Sequence, residues 1–589
     1  MDSKEGYIKD FISGVEVKAG PEEVEAVQVF SRILVEDYNY DKSMIRTHPQ
    51  WRVKSCPSDL EGKYPVDIAV FNSDNHCNDE LKIIVECKKK TRKDGKDQLE
   101  DYLRLSKANI GVWFNGEEKL FIKKIESNGE VKFKEIPNIP VSGQRLEDIG
   151  LYKKKDLIPA TNLKSIFKTI RNFLAANVVG ATRDEVLAQQ IINIIFCKIY
   201  DERYTKPDDM VSFRIGENEN PKVAKERILN LFDLVKNKYK DVIDKEDKIM
   251  LDENSLFYVV GELQMYSLMN ASRDAIGDAF EVFIDHALKG GQGQFFTPRN
   301  VINMIVEMLE PNKNDYIIDP SCGSGGFLIE SLRYVWNSIE IEGKQLGWSE
   351  SEIEIEKREA AQNCFRGIDK DYFLSKVCKA YMAVMGDGRG GIFCNNSLEN
   401  PNKWSDLAKE KIKFGNFSLI MTNPPFGSKI KVEGEDILAQ YDLACKWKLD
   451  KKKNEWEKGK LNKSESPQYL FIERYKHLLK NGGRLGVVLP DGILGNDKLG
   501  YIRSFIKNNF RILAIIDIPK EAFMPHTSTK TSVILLQKVE ESIKYDYPIF
   551  MAVCEKCGHD RRGNIIKEDD LPDVAKEFKK WRSENGITF

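Results

Sequence analysis

Short, mostly apolar runs that end at polar residues recur through the second half of the chain, each followed by helical periodicity. The runs and their terminal polar residues are residues 316–318 with Asp319, residues 365–368 with Asp369 and residues 417–421 with Asn423. Such runs alternating with helices predict a parallel sheet covered by helices on both faces. In these sheets ligands bind at the carboxyl ends of the strands, where the polar residues fall. We therefore predict an α/β domain over residues 291–560.

The first part of the chain has a different pattern. Residues 66–71 and 81–88 read as strands, and a helix is predicted from Pro21 to about Val35. Together these elements predict a small α/β domain over residues 1–150.

A helical pattern fills the stretch between these two domains. Apolar residues recur at spacings of three and four in residues 163–174, 184–200 and 221–239. This periodicity, with little strand-like alternation, predicts an all-α connector over residues 151–290. Residues 561–589 form a predicted helical tail, in which residues 569–585 read as one amphipathic helix.

Composition narrows the possible classes of protein but does not indicate a function. The formal net charge is −2, so no global basic field indicates nucleic acid, although a local patch still can. No apolar run approaches the roughly 18 residues of a membrane span, and the N-terminus does not read as a signal peptide. The 11 cysteines show no framework spacing, which favours a reducing, cytoplasmic compartment.

The small α/β domain carries a candidate metal-dependent centre. Asp67 lies near the start of one predicted strand, and Glu86 and Lys88 share one face of the next. Glu23 falls on the apolar face of the predicted first helix when residues are set 100° apart, whereas Glu22 points away. Glu23, Asp67 and Glu86 could hold Mg²⁺, with Lys88 beside a water poised for phosphodiester attack.

These residues form the D…ExK arrangement of PD-(D/E)xK nucleases. With the Pro21-Glu22-Glu23 helix start and residues 98–102 (QLEDY), the domain resembles the N-terminal nuclease domain of type I restriction subunits. The alternative is that Glu86 and the following lysines form only the solvated end of a strand. In either case residues 88–93 (KKKTRK) supply a phosphate-facing strip.

The sequence of the turn after residues 316–318 distinguishes between two kinds of cofactor site. A dinucleotide site typically has the motif G-x-G-x-x-G without an acid. This turn instead reads Asp319-Pro-Ser-Cys-Gly323-Ser-Gly325-Gly326. A carboxylate there repels a diphosphate and attracts an ammonium group, which favours S-adenosylmethionine. Asp369, at the tip of the second strand, is placed to hold ribose hydroxyls.

The stretch Asn423-Pro424-Pro425-Phe426 follows the strand of residues 417–421. Proline fixes its own φ and restricts the residue before it, so the segment is stiff and its carbonyls stay free of ladder bonding. Two convergent acceptors beside a ring suit a planar base that carries an exocyclic amine and is flipped out of a duplex. The alternative is a turn with Phe426 as a core residue.

The motifs together resemble the modification subunit of type I restriction-modification systems, an adenine-N6 DNA methyltransferase with a Rossmann-like fold. The matching series, in the family's order, is FFTPR, DPSCGSGGF, GIDKD, NPPFGSK, GGRLGVVLPDGIL and TKTSVILL. The resemblance implies that the target base is held by Asn423, Pro424, Pro425 and Phe426. It implies cofactor binding by Gln294, Phe295, Phe296, Thr297, Pro298, Arg299, Asp319, Gly323, Ser324, Gly325, Gly326, Asp369 and Asn396. Asn396 stands where the family carries an acid, and we expect it to tune affinity.

Nuclease, helices and methyltransferase on one chain resemble the combined subunit of type IIB systems. The resemblance implies double-stranded DNA as a partner. Only 53 residues follow Leu536, too few for a target-recognition domain, so a separate specificity subunit is expected as a second partner. A second copy of the chain and a translocating restriction subunit are further candidate partners. Two alternatives stay open: a modification subunit whose first domain only grips DNA, and a non-catalytic DNA-sensing component.

Two further stretches raise alternatives. Residues 446–464 are lysine-rich with two tryptophans and break the sheet pattern, so they read equally as a mobile insertion or as a DNA-contacting loop. Cys554, Cys557 and His559 offer only three ligands, so we do not expect zinc.

Overall fold

The chain forms two compact units, Met1–Ala287 and Leu288–Phe589, each with its own contacts. The computed structural model describes the whole sequence except residues 1–5, 55–58, 60–61, 128, 161–162, 178–183, 241–242, 244, 270–281, 283–296, 387, 428–429, 525–526, 544 and 563–564. The predicted site residues Gln294, Phe295 and Phe296 therefore lie outside the described residues. No helix in the described part of the chain is long and apolar enough to cross a membrane.

The first unit contains a six-stranded sheet whose strands follow one another in chain order. These strands are β1 (Ile45–Arg46), β2 (Ile68–Phe71), β3 (Leu81–Cys87), β4 (Ile110–Phe114), β5 (Lys119–Ser127) and β6 (Glu130–Glu135). Only β3 and β4 pair in parallel, because the helix of residues 96–104 crosses between them. Apolar residues of β2, β3 and β4 are buried on both faces, as expected of central strands.

Within the residues described, six α-helices complete the first unit. They are α1 (Gln28–Glu36), α2 (Lys96–Arg104), α3 (Leu163–Asn177), α4 (Asp184–Tyr204), α5 (Pro221–Lys238) and α6 (Glu253–Leu263). The all-α prediction for residues 151–290 is wrong in one detail, since two-residue strands at Ile158–Pro159 and Tyr266–Ser267 pair in parallel. Such strands are too short to produce an alternating pattern in the sequence.

The first helix begins with a π-helical turn at Glu23–Val27, which continues directly into α1. A π turn closes hydrogen bonds five residues apart and is wider than an α turn. Consecutive side chains in it are therefore separated by less than the 100° of an α-helix.

The second unit is built on an eight-stranded mixed sheet. Its strands are β7 (Ile317–Asp319), β8 (Phe365–Asp369), β9 (Ile392–Cys394), β10 (Phe417–Thr422), β13 (Leu479–Pro490), β14 (Phe510–Ile518), β15 (Thr531–Lys538) and β16 (Phe550–Val553). Their spatial order is β9-β8-β7-β10-β13-β15-β14-β16. Only β15 runs antiparallel to its neighbours. The order reverses direction beside β7, so the ends of β7, β8 and β10 form the ligand crevice expected at such a switch point.

Helices cover this sheet on both faces. They are α7 (Arg299–Leu309), α8 (Gly326–Leu346), α9 (Glu350–Asn363), α10 (Tyr372–Gly386), α11 (Asp406–Lys411), α12 (Pro467–Leu478), α13 (Gly500–Asn509) and α14 (Leu571–Glu584). The sheet and helices within each unit confirm the predicted mixed α/β fold class.

The lysine-rich insertion forms a β-hairpin of β11 (Cys445–Asp450) and β12 (Glu455–Leu461). The prediction that this stretch lacks sheet structure is therefore wrong. The sequence signal fails because lysine and tryptophan alternate without a buried apolar stripe, and the partner ring of the tryptophans, Tyr501, lies far away in the chain.

The predicted C-terminal helix is confirmed as α14, and it packs on its own unit. Phe578 is fully buried, with its ring edge-on to Phe550 of β16 at 5.4 Å. Lys579 and Arg582 form ion pairs with Glu307 and Glu310 at the end of α7. The helix thus closes the last strand of the sheet.

Candidate functional site

A cavity of about 420 Å³ opens at the carboxyl ends of β7, β8 and β10. Most of the predicted cofactor and target residues that the structure describes line this one cavity. They are Thr297, Asp319, Gly323, Ser324, Gly326, Asp369, Asn396, Asn423, Pro424, Pro425 and Phe426. Residues from distant motifs meet here because parallel strands end at the same edge of a sheet.

Asp319 is the most deeply buried acid of the cavity, with 2% of its surface exposed. Its Oδ1 accepts hydrogen bonds from the Thr422 hydroxyl at 2.6 Å and from the Ser321 N–H at 3.0 Å. Burial raises the pKa of Asp319 to about 7, opposed by these two hydrogen bonds and helped by the nearby charge of Asp369. The carboxyl therefore sits at its titration point near neutral pH, so a cation bound beside it favours the ionised form.

Asp369 and Gly323 connect the second strand to the glycine-rich turn. Asp369 Oδ2 accepts the Gly323 N–H at 2.9 Å, and its Oδ1 accepts the Asp371 N–H at 2.9 Å. Burial raises the pKa of Asp369, although both hydrogen bonds act to lower it. Gly323 has a φ of +52°, and open space lies where a Cβ would stand. The turn is therefore held close to Asp369 while leaving room for a ligand.

Asn423 presents an unsatisfied acceptor to the cavity. Its Nδ2 donates to Thr297 Oγ1 at 3.0 Å. Its Oδ1 is buried and has no hydrogen-bond partner among the described residues. An unpaired buried amide oxygen costs about 1–3 kcal/mol, so this atom favours a ligand that brings an N–H donor.

The prolines and Phe426 form the wall beside Asn423. The backbone oxygen of Asn423 accepts the Ser321 hydroxyl at 3.3 Å, which ties this segment to the turn after β7. Phe426 lines the cavity but is only 2% exposed, so most of its ring packs against protein. Both interpretations of this ring from the sequence, cavity wall and core residue, apply in part.

The other predicted cofactor residues have defined surroundings. Asn396 Oδ1 accepts the Leu398 N–H at 3.1 Å, which uses one of its lone pairs. Pro298 caps α7, and Arg299 lies 3.4 Å from the Glu330 carboxylate. Gly325 has a φ of +95° and caps α8; a Cβ there would lie 2.7 Å from Cys378 Sγ. Of these four, only Asn396 lines the cavity.

The chemistry of this donor set fits S-adenosylmethionine. Two carboxylates, the buried Asp319 and the half-buried Asp369, can take its ammonium and ribose hydroxyls, and the glycine turn admits close approach. The unpaired Asn423 Oδ1 lies at the same cavity and remains available to a second ligand. The volume of about 420 Å³ lies within the range of small-molecule sites.

The first unit brings Asp67, Glu86 and Lys88 together. Ile68 of β2 pairs with Val85 of β3, which sets Asp67 beside Glu86, and Lys88 forms an ion pair with Glu86. Asp67 precedes the strand itself, and its Oδ2 accepts the Cys87 N–H at 2.7 Å. Burial raises the pKa of Asp67 to about 6 and that of Glu86 to about 7.

Glu22, not Glu23, acts most strongly on this pair of acids from the first helix. The charge of Glu22 raises the pKa of Asp67 more than the charge of Glu23 does. The charge of Glu22 also raises the pKa of Glu86. The expectation that Glu22 points away from the apolar face stays a prediction, and the π turn at Glu23–Val27 does not follow the 100° per residue on which it is based. The π turn left no recognisable mark in the sequence.

Glu23 belongs to a different cluster. Its Oε1 accepts Gln28 Nε2 at 2.7 Å and lies 3.2 Å from His48 Nε2. Within the described ranges, Asp10, Glu23 and His48 form the one group of three potential ligands whose ligand atoms lie within 4.8 Å of one another. Glu23, Asp67 and Glu86 do not meet that distance in this structure. Cys554, Cys557 and His559 are likewise not such a group.

The comparison with protein families decides the assignment of the larger part of the chain. Residues 271–589, more than half of the chain, match the family described as N-6 DNA Methylase. The chain belongs to the N-6 DNA methylase family. Residues 21–140 separately match the N terminus of the type I restriction enzyme R protein.

Curated members of this methylase family share low but extended identity with the chain. The EcoEI methylase subunit of the type I restriction enzyme of Escherichia coli is 25% identical over 47% of this chain and 49% of its own length. The type II restriction enzyme and methyltransferase RM.BcgI of Heyndrickxia coagulans is 27% identical over 27% of this chain and 22% of its own length. The chain spans about half the length of the type I methylase subunits it matches.

Among solved structures, a chain described with the assembly and conformational transition of the type I R-M system matches with a TM-score of 0.49. It is 17% identical to this methylase-family chain, and the match covers 73% of this chain and 86% of the other.

Proposed function

We propose that the second unit transfers a methyl group from S-adenosylmethionine to the N6 of an adenine flipped out of double-stranded DNA. The observation that carries this proposal is the buried, unpaired Asn423 Oδ1 at the cavity that also holds Asp319 and Asp369. Membership in the N-6 DNA methylase family supports the same assignment.

Asn423 and Pro424 act on the amine of the base. The N6 lone pair is delocalised into the adenine ring and is a poor nucleophile. Hydrogen bonds from N6 to Asn423 Oδ1 and to the Pro424 carbonyl favour a pyramidal nitrogen, and they strengthen as positive charge develops on it. S-adenosylmethionine supplies an electrophilic methyl on a sulfonium, so neither a covalent enzyme intermediate nor a metal is required.

Substitution of the amide tests this proposal directly. Asn423→Ala should lower tritium transfer from labelled cofactor to DNA by at least about 100-fold, the scale of losing a transition-state hydrogen-bond acceptor. Cofactor affinity, measured by calorimetry, should change little because Asn423 acts on the base. Normal transfer by Asn423→Ala with intact cofactor binding would contradict the assignment.

Recognition of a defined DNA site is proposed to come from a separate specificity subunit, with this chain as the methylating component of a restriction-modification system. The similarity to type I methylase subunits supports this arrangement. Site-specific methylation by the purified chain without any partner would show that it is wrong. A second copy of the chain and a translocating subunit remain further proposed partners.

A second proposed activity belongs to the first unit. Asp67, Glu86 and Lys88 lie together, and residues 21–140 match the R protein N terminus. Asp67 and Glu86 would hold Mg²⁺, which supplies a Lewis acid and an activated water for cleavage of a phosphodiester in a PD-(D/E)xK manner. Lys88 would stabilise the developing charge. The type IIB-like combination of both activities on one chain rests on this second proposal.

Cleavage of unmodified DNA in Mg²⁺ separates this proposal from a domain that only grips DNA. Asp67→Ala and Lys88→Ala should each abolish cleavage while leaving methyl transfer unchanged. Glu23→Gln provides a comparison in the neighbouring cluster. Absence of cleavage with every partner and cofactor would favour the DNA-gripping alternative.

A further inference from the structure

The hairpin of β11 and β12 concentrates positive charge. We define the lysine arm as residues 445–463, which hold eight lysines against three acids, whereas the whole chain holds 90 basic and 92 acidic residues. All eight lysines are exposed. They are Lys446, Lys448, Lys451, Lys452, Lys453, Lys458, Lys460 and Lys463.

The aromatic residues of the arm anchor it to its own unit. Trp447 stacks on Tyr501 of α13 with ring centroids 5.8 Å apart, and Trp456 meets the same ring edge-on at 5.8 Å. A Cβ on Gly500 would lie 2.6 Å from Trp456, which shows how closely the indole packs on the start of α13. Because both indoles are engaged here, they are not free platforms for stacking bases.

The pleat of the hairpin places Trp447, Leu449 and Trp456 on one face, together with Lys458, which pairs with Trp447. Leu449 pairs with Trp456, so the aromatic side chains of both strands share the inner face, and Lys446 and Lys448 alternate onto the other. Lys451, Lys452 and Lys453 form the turn at the tip. The opposite face mixes Lys446 and Lys448 with Asp450, Glu455 and Glu457, so the positive charge of the arm is concentrated at its tip.

The base of the arm is joined to the wall of the methyl-transfer cavity. Val432 and Glu433 line the cavity and pair with Ser464 and Glu465, which directly follow the arm. Lys431 Nζ donates to Ser466 Oγ at 2.9 Å. A duplex that delivers a base to this cavity therefore lies beside the base of the arm.

Protection of strand edges explains only part of this charge. A short hairpin exposes unpaired edges, and lysines on the strands keep them from pairing with other chains. The three consecutive lysines at the tip lie outside the ladder and protect no edge. Ion pairs also account for little of the charge. Of the eight lysines only Lys453 and Lys458 form ion pairs within the described part of the chain, with acids of the arm and with Asp442, and exposed pairs of this kind are weak.

We propose that the lysine arm binds the phosphate backbone of the duplex that flanks the flipped adenine. The inference rests on the proposed methyl transfer and adds the surface that holds the DNA. A strand of six residues spans about 20 Å, and duplex DNA carries one charge per about 1.7 Å, so the arm can run beside roughly a dozen phosphates. Contact is to the backbone and independent of sequence.

Salt dependence of duplex binding tests the arm. The full chain is titrated onto a fluorescein-labelled duplex over a range of KCl concentrations, and anisotropy gives the affinity. Replacing Lys451, Lys452 and Lys453 with Gln should lower the affinity at low salt. It should also reduce the slope of log affinity against log salt by up to about 2.7, at about 0.9 per phosphate contact.

A matched variant removes the same charge elsewhere. Lys567, Lys576 and Lys580 are exposed lysines near the C-terminus, and their replacement with Gln should leave the slope unchanged. Calorimetric cofactor binding by both variants shows that they are folded. Equal slopes for the arm variant and the wild type would overturn the proposal, as would equal effects of the two triple variants.

Two results distinguish failure of the arm from failure of the proposed function. If the arm variant binds DNA like the wild type but loses affinity for the specificity subunit, the arm contacts protein and the DNA proposal is wrong. If the wild-type chain binds no duplex at low salt, the arm proposal is also wrong. Methyl transfer that depends on Asn423 would in both cases leave the proposed function standing.

Discussion

At the residue scale, the two ends of the Asn423 amide have different surroundings. Nδ2 is occupied by the Thr297 hydroxyl, and Oδ1 has no partner in the described part of the chain. The first contact fixes the rotation of the amide, and the rotation aims the second atom. We therefore propose Thr297 as a positioning residue for Asn423, in addition to its predicted place beside the cofactor.

Thr297→Val should leave the amide free to rotate. We expect kcat for methyl transfer to fall by about 2- to 10-fold, the worth of one neutral hydrogen bond, with little change in KM for the cofactor. Thr297→Ser keeps the hydroxyl and should restore kcat. A loss that appears in both variants would indicate a packing role for the side chain instead.

The titration of Asp319 predicts a pH dependence of cofactor binding. Its pKa of about 7 before binding means that the carboxyl is mostly protonated at pH 6 and mostly ionised at pH 8. A cationic ligand prefers the carboxylate, so affinity should rise about 10-fold between these pH values. Calorimetry over this range measures the effect.

Asp319→Asn provides the control for this pH profile. This variant should bind the cofactor weakly at every pH, and most of the increase in affinity between pH 6 and pH 8 should be lost. A wild-type profile retained in the variant would assign the titration to another group, with Asp369 the nearest candidate because burial raises its pKa too.

At the scale of elements, the strand ends were predictable and the exceptions have physical causes. Asp319, Asp369 and Asn423 each follow a short apolar run, and parallel strands bring such residues to one edge. The π turn at Glu23–Val27 was not predictable, since the sequence pattern assumes the rotation per residue of an α-helix. The hairpin was missed because its apolar partner is Tyr501, and no local pattern reports so distant a contact.

The turn between β7 and α8 allows a prediction of stability. Gly325→Ala places a Cβ 2.7 Å from Cys378 Sγ at a φ of +95°, so we expect a loss of about 1–3 kcal/mol and weaker cofactor binding. Gly347→Ala is the matched change: it caps the other end of α8 at a φ of +74° with no atom within 4 Å of its Cβ. Calorimetric unfolding of the second unit compares them.

Gly347→Ala should cost about 1 kcal/mol, the strain of a left-handed alanine alone. Its cofactor affinity should equal that of the wild type. Equal losses for the two variants would show that contact with Cys378 adds nothing to the strain.

At the scale of the whole molecule, the two units carry different chemical requirements. The cavity of the second unit offers acids and amides suited to an organic cation, whereas Asp67 and Glu86 of the first unit suit a divalent metal. Which DNA sequence the molecule acts on could not be predicted, because the proposed base pocket would hold a single base and leave its neighbours unread.

Chelation should therefore separate the two proposed activities. In excess EDTA we expect methyl transfer to continue at its full rate and DNA cleavage to stop. Adding back Mg²⁺ should restore cleavage in the wild type and not in Glu86→Ala. Loss of methyl transfer in EDTA would contradict the metal-free mechanism of the second unit.

The pairing of Val432 and Glu433 with Ser464 and Glu465 brings together the two ends of residues 434–463, which contain the lysine arm. Closing a loop whose ends are already adjacent costs little chain entropy, and each doubling of its length adds only about 0.6 kcal/mol. The arm can consequently be lengthened, shortened or exchanged between related chains as a cassette. A change in the length of the arm should therefore alter the proposed hold on DNA and leave the chemistry of the cavity unchanged.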